Sequence, residues 1–249
     1  MSAVAYRQEH RTTGRTPYRV PADARASTLN SILLEIDRPT LAPKQMSFIA
    51  AADDAQDTEL FYAGDLDLLK RPAVAVVGAR DVSAEGAARA RRIARDLALA
   101  GVTVVSGLAK GVDRNAHEAA IEAGGKTVAV IGTPLDKAYP VDHSDLQTLI
   151  AKKHLLVTPF RTGERVFQSN FPRRNKVMAA LTDGSVIVEA SDTSGTLHQV
   201  AECQRLGRWL FILRSVYDNP DLNWPRSFGG YEKMVVVNEP ADVISRVLR

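Results

Sequence analysis

From residue 73 onward the chain alternates between short apolar runs and amphipathic stretches of helix length, and few folds accommodate that rhythm. The runs are Ala73–Val77, Val102–Val105, Thr127–Ile131, His154–Val157, Ser185–Val188 and Trp209–Leu213. They are continuously apolar rather than alternating, as in strands buried on both faces. Between them lie Ala84–Ala100, Val112–Ala123, Asp145–Lys152, Arg173–Leu181 and Thr196–Leu206. The first of these places Ala90, Ile93, Ala94 and Leu97 on one face and its arginines on the others. Residues 234–238 (MVVVN) add a strand and Ala241–Leu248 a last helix. Strand and helix in strict alternation predict an α/β fold: a doubly wound, mostly parallel sheet flanked by helices, with right-handed crossovers.

Ahead of this core the pattern changes. Residues 1–20 carry Arg7, Arg11, Arg15 and Arg19, with Glu9 as the one acid. Gly14 and Pro17 interrupt a helix there, so a basic, disordered arm is expected. Residues 21–58 read as an N-terminal helical extension. Leu29, Ile32, Leu33 and Ile36 share one helical face, with Ser27 as candidate N-cap and Pro39 as stop. Residues 59–249 form the expected core. At 249 residues the chain suits one large domain with a small appendage. No apolar run approaches the ~18 residues of a membrane span, and the N-terminus lacks an apolar leader segment. Cys203 is the sole cysteine. It excludes an internal disulfide or a cysteine-rich zinc site and fits a reducing cytoplasm. The net charge of +3 is too small to point to a partner, so the placement of the charges matters more.

In an open parallel sheet, ligands bind outside the carboxyl ends of the strands, and the residues after each run therefore carry the functional signal. Gly78-Ala79-Arg80 follows the first run, Ser106-Gly107-Leu108-Ala109-Lys110-Gly111-Val112-Asp113 the second, and Gly132-Thr133-Pro134 the third. The fifth is preceded by Phe171-Pro172-Arg173-Arg174-Asn175-Lys176 and followed by Glu189-Ala190, then Ser194-Gly195-Thr196. Any one of these glycines is most simply a turn residue. Together they admit a ligand to the backbone, next to helix N–H groups that attract anions. With Arg80, Lys110, Arg173, Arg174 and Lys176 in reach of the same edge, the set reads as a phosphate-binding rim. Phe171, ahead of Pro172, is expected to be extended and off the helix that begins near Arg173. Arg174 is expected in the first turn of that helix, where a bound anion offsets an unfavourable dipole.

Gly78-Ala79-Arg80 is not a GxGxxG turn, and the second run ends in Ser106 rather than a ribose-binding acid, which argues against a dinucleotide oxidoreductase. In the window 161–176, Arg161, Arg165, Arg173, Arg174 and Lys176 face one acid, Glu164, and interleave with Phe167 and Phe171. Arginine beside an exposed aromatic grips the phosphates of a single strand and stacks its bases. His10, His143 and His154 show no metal spacing. His117 is expected to contact Asp113, His198 to face solvent, and Cys203 to fill core space. No catalytic, metal or cofactor residue is assigned.

The strings VAVVGAR, VVSGLAKGVDRNAHEAAIEAGGKTVAVIGTPLDKAYP and NFPRRNKVMAALTDGSVIVEASDTSGTLHQVAECQRLGR closely resemble the DNA-processing protein A (DprA/Smf) family over roughly residues 59–214. The resemblance implies an extended Rossmann-like fold without established catalytic turnover. It implies single-stranded DNA bound in a basic pocket, a homodimer, and loading of a RecA-type recombinase during natural transformation. On that resemblance Arg80, Lys110, Arg174 and Lys176 meet phosphates and Phe171 meets a base. Ser106, Gly107, Gly111, Asp113, His117, Pro172, Asn175, Ser194, Gly195 and Thr196 match further motif positions. Departures are Ala79 for Ser, Pro134 for Gly, Thr158-Pro159-Phe160, and His198-Gln199-Val200 for a more usual Ile-Thr-Ala.

A second resemblance, to the LOG family of nucleoside monophosphate phosphoribohydrolases, lies in Arg174-Asn175-Lys176-Val177-Met178 and Gly195-Thr196-Leu197-His198-Gln199. There the expected glutamate is Gln199, and an amide cannot do a carboxylate's work. A nucleotide-sensing module on the same fold is the third reading. It calls for fewer basic residues than the window 161–176 offers.

Overall fold

The computed structural model describes residues 18–42 and 57–248. Most of the basic arm expected at 1–20 therefore lies outside the described residues. The strands are β1 (Arg25–Thr28), β2 (Glu59–Gly64), β3 (Ala73–Val77), β4 (Thr103–Ser106), β5 (Thr127–Val130), β6 (Leu155–Thr158), β7 (Gly184–Ile187), β8 (Trp209–Leu213) and β9 (Met234–Val237). They form one nine-stranded sheet in the order β1-β2-β6-β5-β4-β3-β7-β8-β9. From β6 to β9 every pairing is parallel, whereas β1–β2 and β2–β6 are antiparallel. Strands β3 to β7 are buried at every position, as their continuous apolar runs require.

Helices α1 (Leu29–Glu35), α2 (Ala84–Leu99), α3 (Val112–Glu122), α4 (Ser144–Lys153), α5 (Asn170–Ala180), α6 (Thr196–Arg205), α7 (Arg214–Tyr217), α8 (Trp224–Ser227) and α9 (Pro240–Val247) complete the order. Helix α2 shows how the local signals cooperate. Ser83 caps it by accepting from Gly86 N at 2.9 Å, and Ala90, Ile93, Ala94 and Leu97 are its buried stripe. Among the described residues, no helix is long and apolar enough to cross a membrane.

Two local expectations change, and one stretch without an expectation gains elements. The cap of α1 is Thr28, whose side chain accepts from Ser31 N at 3.3 Å, while Ser27 belongs to β1. Residues 47–70, whose mixed pattern predicts no element, contain β2 and a 3-10 turn at Leu66–Lys70 within their described part. Helix α5 begins at Asn170, so Phe171 and Pro172 are helical and Arg174 sits beyond the first turn. A proline in a helix's first turn sacrifices an N–H that has no intrahelical acceptor, so the helix extends back through it.

His117 does not contact Asp113. Its ring is buried on α3 with Nδ1 2.7 Å from Thr127 Oγ1, whose proton goes to Val104 O at 2.8 Å. Nδ1 must therefore carry the donor hydrogen, and Nε2 is buried without a partner. A second proton would create a buried cation, so burial pulls the pKa down to about 3. His154 is lowered to about 4, again chiefly by burial. Both rings are neutral in the fold and take protons more readily when unfolded. Their contribution is complete above the unfolded histidine pKa of about 6.5 and is lost as pH falls toward the folded values. We expect thermal melts to be level between pH 7 and 8 and to drop progressively from pH 6.5 to 4. His117 alone contributes up to about 1.4 kcal/mol per pH unit. A melting temperature unchanged at pH 4.5 would contradict this.

Candidate functional site

The strand order reverses between β3 and β7: the chain runs outward through β4, β5 and β6, then returns to place β7, β8 and β9 on the other side of β3. Crevices at such switch points are where doubly wound sheets bind ligands. Here the crevice is a cleft of about 330 Å³. Gly78 and Arg80 come to it from the end of β3, Ala109 from the turn after β4, Asp113 from the start of α3, Phe171, Arg174 and Asn175 from α5, and Ser194, Gly195 and Thr196 from the entry to α6. Eight of the sequence-predicted site residues thus line one cavity.

Arg174 is the buried charge of this cleft, with 5% of its surface exposed. Its Nη1 donates to Val130 O at 2.7 Å, and its Nε is buried without a partner. Asp113 is the compensating charge. The carboxylate accepts from Gly107 N at 3.1 Å and Ala109 N at 3.2 Å, which folds the turn after β4 around it. Burial raises the Asp113 pKa, and Arg174 and the N–H donors oppose that rise. Burial likewise lowers that of Arg174, with Asp113 opposing. Among the described residues the two form no ion pair, so the guanidinium retains donor capacity toward the cleft. A Cβ at Gly107 would fall inside the Arg174 guanidinium, so the glycine is what lets that group lie where it does. Gly111 precedes α3 at φ +73°, with a Cβ barred by the carbonyls of Ala79 and Arg80.

Phe171 is half-buried. The Arg80 guanidinium lies 5.0 Å over its ring, the Tyr139 ring centre is 5.6 Å away, and Gly132 lies beneath, where a Cβ would come within 2.7 Å of Cδ1. Its first-turn position on α5 brings the ring to the cleft wall without the extended backbone expected from the proline.

The sequence profile of DNA recombination-mediator protein A matches residues 42–235. The chain belongs to that family. DNA processing protein DprA of Streptococcus pneumoniae is 44% identical over 154 residues, covering 62% of this chain and 54% of the relative. The chain thus spans about half the length of that relative. The X-ray structure of the Streptococcus pneumoniae protein superposes with a TM-score of 0.72 at 34% identity, covering 91% of this chain and 75% of the other. DNA processing protein A of Helicobacter pylori, described for its single-stranded DNA binding mode, superposes with a TM-score of 0.70 at 24% identity, covering 90% and 96%. It shares the fold.

The family core does not gather every predicted residue. Ser106 is fully buried and donates to Val76 O at 2.7 Å, which ties β4 to β3, and its hydroxyl acts on the cleft only through Asp113, whose pKa it helps hold down. Lys110 is exposed and does not line the cavity, nor do Arg173 and Lys176. Arg173 lies 5.4 Å over the Phe160 ring. Arg161 pairs with Glu59 at 2.7 Å, so the basic window splits among several tasks. Glu189 does not meet Arg174 either: it accepts from Ser83 N at 3.1 Å and Oγ at 2.7 Å, securing the start of α2. Gln199 is buried and donates to Ser185 Oγ at 2.8 Å.

Sequence reasoning missed Asp192. It accepts from Asn223 N at 3.0 Å, from Asn223 Nδ2 at 3.0 Å and from Trp224 N at 3.2 Å, pinning the cleft's Ser194–Thr196 lip to α8. Those donors lower its pKa. Only an Asx-type turn signal at Asp192 hints at this.

Arg174→Glu would set a second carboxylate against buried Asp113. We expect that variant to lose about 3–5 kcal/mol of stability, because it leaves a buried carboxylate without its compensating charge. Urea unfolding of the purified variant measures it, and wild-type stability would show that Arg174 is not electrostatically coupled to the core.

Proposed function

We propose that the cleft binds single-stranded DNA, with phosphates held by Arg174 and Arg80 and a base against Phe171, and that the protein acts in DNA processing and recombination. The observation that carries this reading is the buried Arg174 guanidinium in the lining of a crevice whose wall is an aromatic ring under a second arginine. Guanidinium groups match a phosphate, and a base face matches the ring. Family membership supports the same reading. Extended to the whole protein, it places a homodimer in the cytoplasm that protects incoming DNA in natural transformation and hands it to a RecA-type recombinase, without catalytic turnover. Residues 59–249 would be the DNA-binding core and 21–58 an extension to it, with Lys110, Arg173 and Lys176 steering the strand from the rim. Hydrolysis of a nucleoside monophosphate is disfavoured because Gln199 is an amide directed to Ser185 inside the core. We expect no free base to be released from adenosine monophosphate.

Arg80 is exposed, so its substitution tests the site without disturbing the core. In titrations against single-stranded DNA, duplex DNA and mononucleotides at several salt concentrations, we expect the single strand to bind preferentially. The logarithmic salt slope should be about −0.7 per phosphate engaged. Arg80→Glu should weaken binding and reduce the slope by about one such contact. An affinity independent of salt, or a folded Arg80→Glu variant that binds normally, would refute the assignment.

A further inference from the structure

At about 330 Å³ the cleft is at the small end of ligand pockets, which run from about 300 to 1,000 Å³. It receives one nucleotide of a strand and leaves the neighbours outside. Eight large apolar side chains are exposed among the described residues, and four of them, Tyr139, Val141, Val166 and Phe167, stand on the two loops beside the cleft. These loops are joined by Lys137 Nζ donating to Glu164 O at 2.6 Å. These two loops carry both exposed aromatic rings of the described residues, Phe167 at 59% and Tyr139 at 48%. Tyr139 is in ring contact with Phe171, tilted by 44°, and so extends the aromatic surface that begins at the cleft wall. Phe167 stands on the turn entering α5, where its carbonyl accepts from Asn170 N at 3.1 Å. Arg165, also exposed, has no carboxylate partner among the described residues.

Exposed apolar patches mark interaction surfaces. Two rings and a cation without a carboxylate partner, on joined loops of which one meets the cleft wall through Tyr139 and Phe171, match bases on a phosphate backbone better than they match an apolar protein face. We propose that Tyr139 and Phe167 form a second base-stacking subsite, which takes the nucleotide adjoining the one in the cleft. The surface then selects a run of unpaired nucleotides over an isolated one, and rejects duplexes because their base faces are covered. The proposal rests on the single-strand reading of the cleft.

The test compares the full chain with its Phe167→Ala, Tyr139→Ser and Tyr139→Phe variants, titrated with thymidine monophosphate and with a hexamer of oligothymidylate. The wild type should bind the hexamer more tightly than the monomer. Phe167→Ala and Tyr139→Ser should each weaken the hexamer about tenfold, the loss of one stacked base, and leave the monomer unchanged. Tyr139→Phe should match the wild type. Wild-type hexamer affinity in Phe167→Ala and Tyr139→Ser would overturn the subsite and assign the patch to a protein partner. An equal loss for monomer and hexamer in Tyr139→Ser would make that ring a support for Phe171 and also overturn it. A wild type that binds no single strand would fail at the cleft itself, a different result from either.

Discussion

The cleft depends on one buried guanidinium. Arg174 reaches across from α5 to the end of β5, where Val130 O receives it, and lies over Gly107 at the end of β4. A cation this far from water is tolerable only because Asp113 stands near it and because the backbone can approach without a Cβ in the way. Asp113 in turn is held by the N–H groups of the turn it shapes. One charge therefore dictates a glycine, a turn conformation and an acid. An arginine keeps its proton at any physiological pH, so the positive potential at the crevice is permanent.

The outer strands serve that centre from a distance. Arg38, just past α1, forks onto Asp183 at the start of β7 with an Nη2–Oδ2 distance of 2.9 Å, and Asp183 also accepts from Ala73 N at 2.8 Å. One carboxylate thus links the N-terminal extension to the two strands between which the crevice opens. On the opposite end of those strands Asp192 fastens the lip of the cleft to α8. The two aspartates bracket β7, one tying its start to β3 and the N-terminal extension, the other tying the loop beyond its end to α8.

Much of this was legible in the residues. The buried parallel strands announced themselves because they are apolar on both faces, and β3 and β8 carry the bounds the runs predict. The crevice was legible because Gly78, Arg80 and Ser194-Gly195-Thr196 follow strands that the topology sets side by side. The edge was not. β1 reads RAST, four residues without an apolar face, and β2 has a mixed burial pattern that matches neither period. Their strand character comes from pairing, Ala26 against Phe61 and Phe61 against Thr158, which no local signal encodes. Side-chain aim was equally hidden. Nothing in the spacing of Asp113 and His117 shows that one turns to backbone amides and the other to Thr127, and nothing in a run of basic residues separates Arg161, neutralised by Glu59, from Arg174.

The sheet order also governs when a growing chain acquires its site. β3 pairs with β7, Ala75 against Ser185, so its second neighbour is synthesised only after the entire β4-to-β6 half. The wall donated by α5 and the lip before α6 come later than that half as well. A nascent chain released only through β6 has the strands and Asp113 but lacks Arg174 and Phe171. Pairings of such long sequence separation form slowly and late. The acid therefore precedes its cation off the ribosome, and until α5 is made the half-sheet carries Asp113 and Arg80 without the buried guanidinium that completes the cleft.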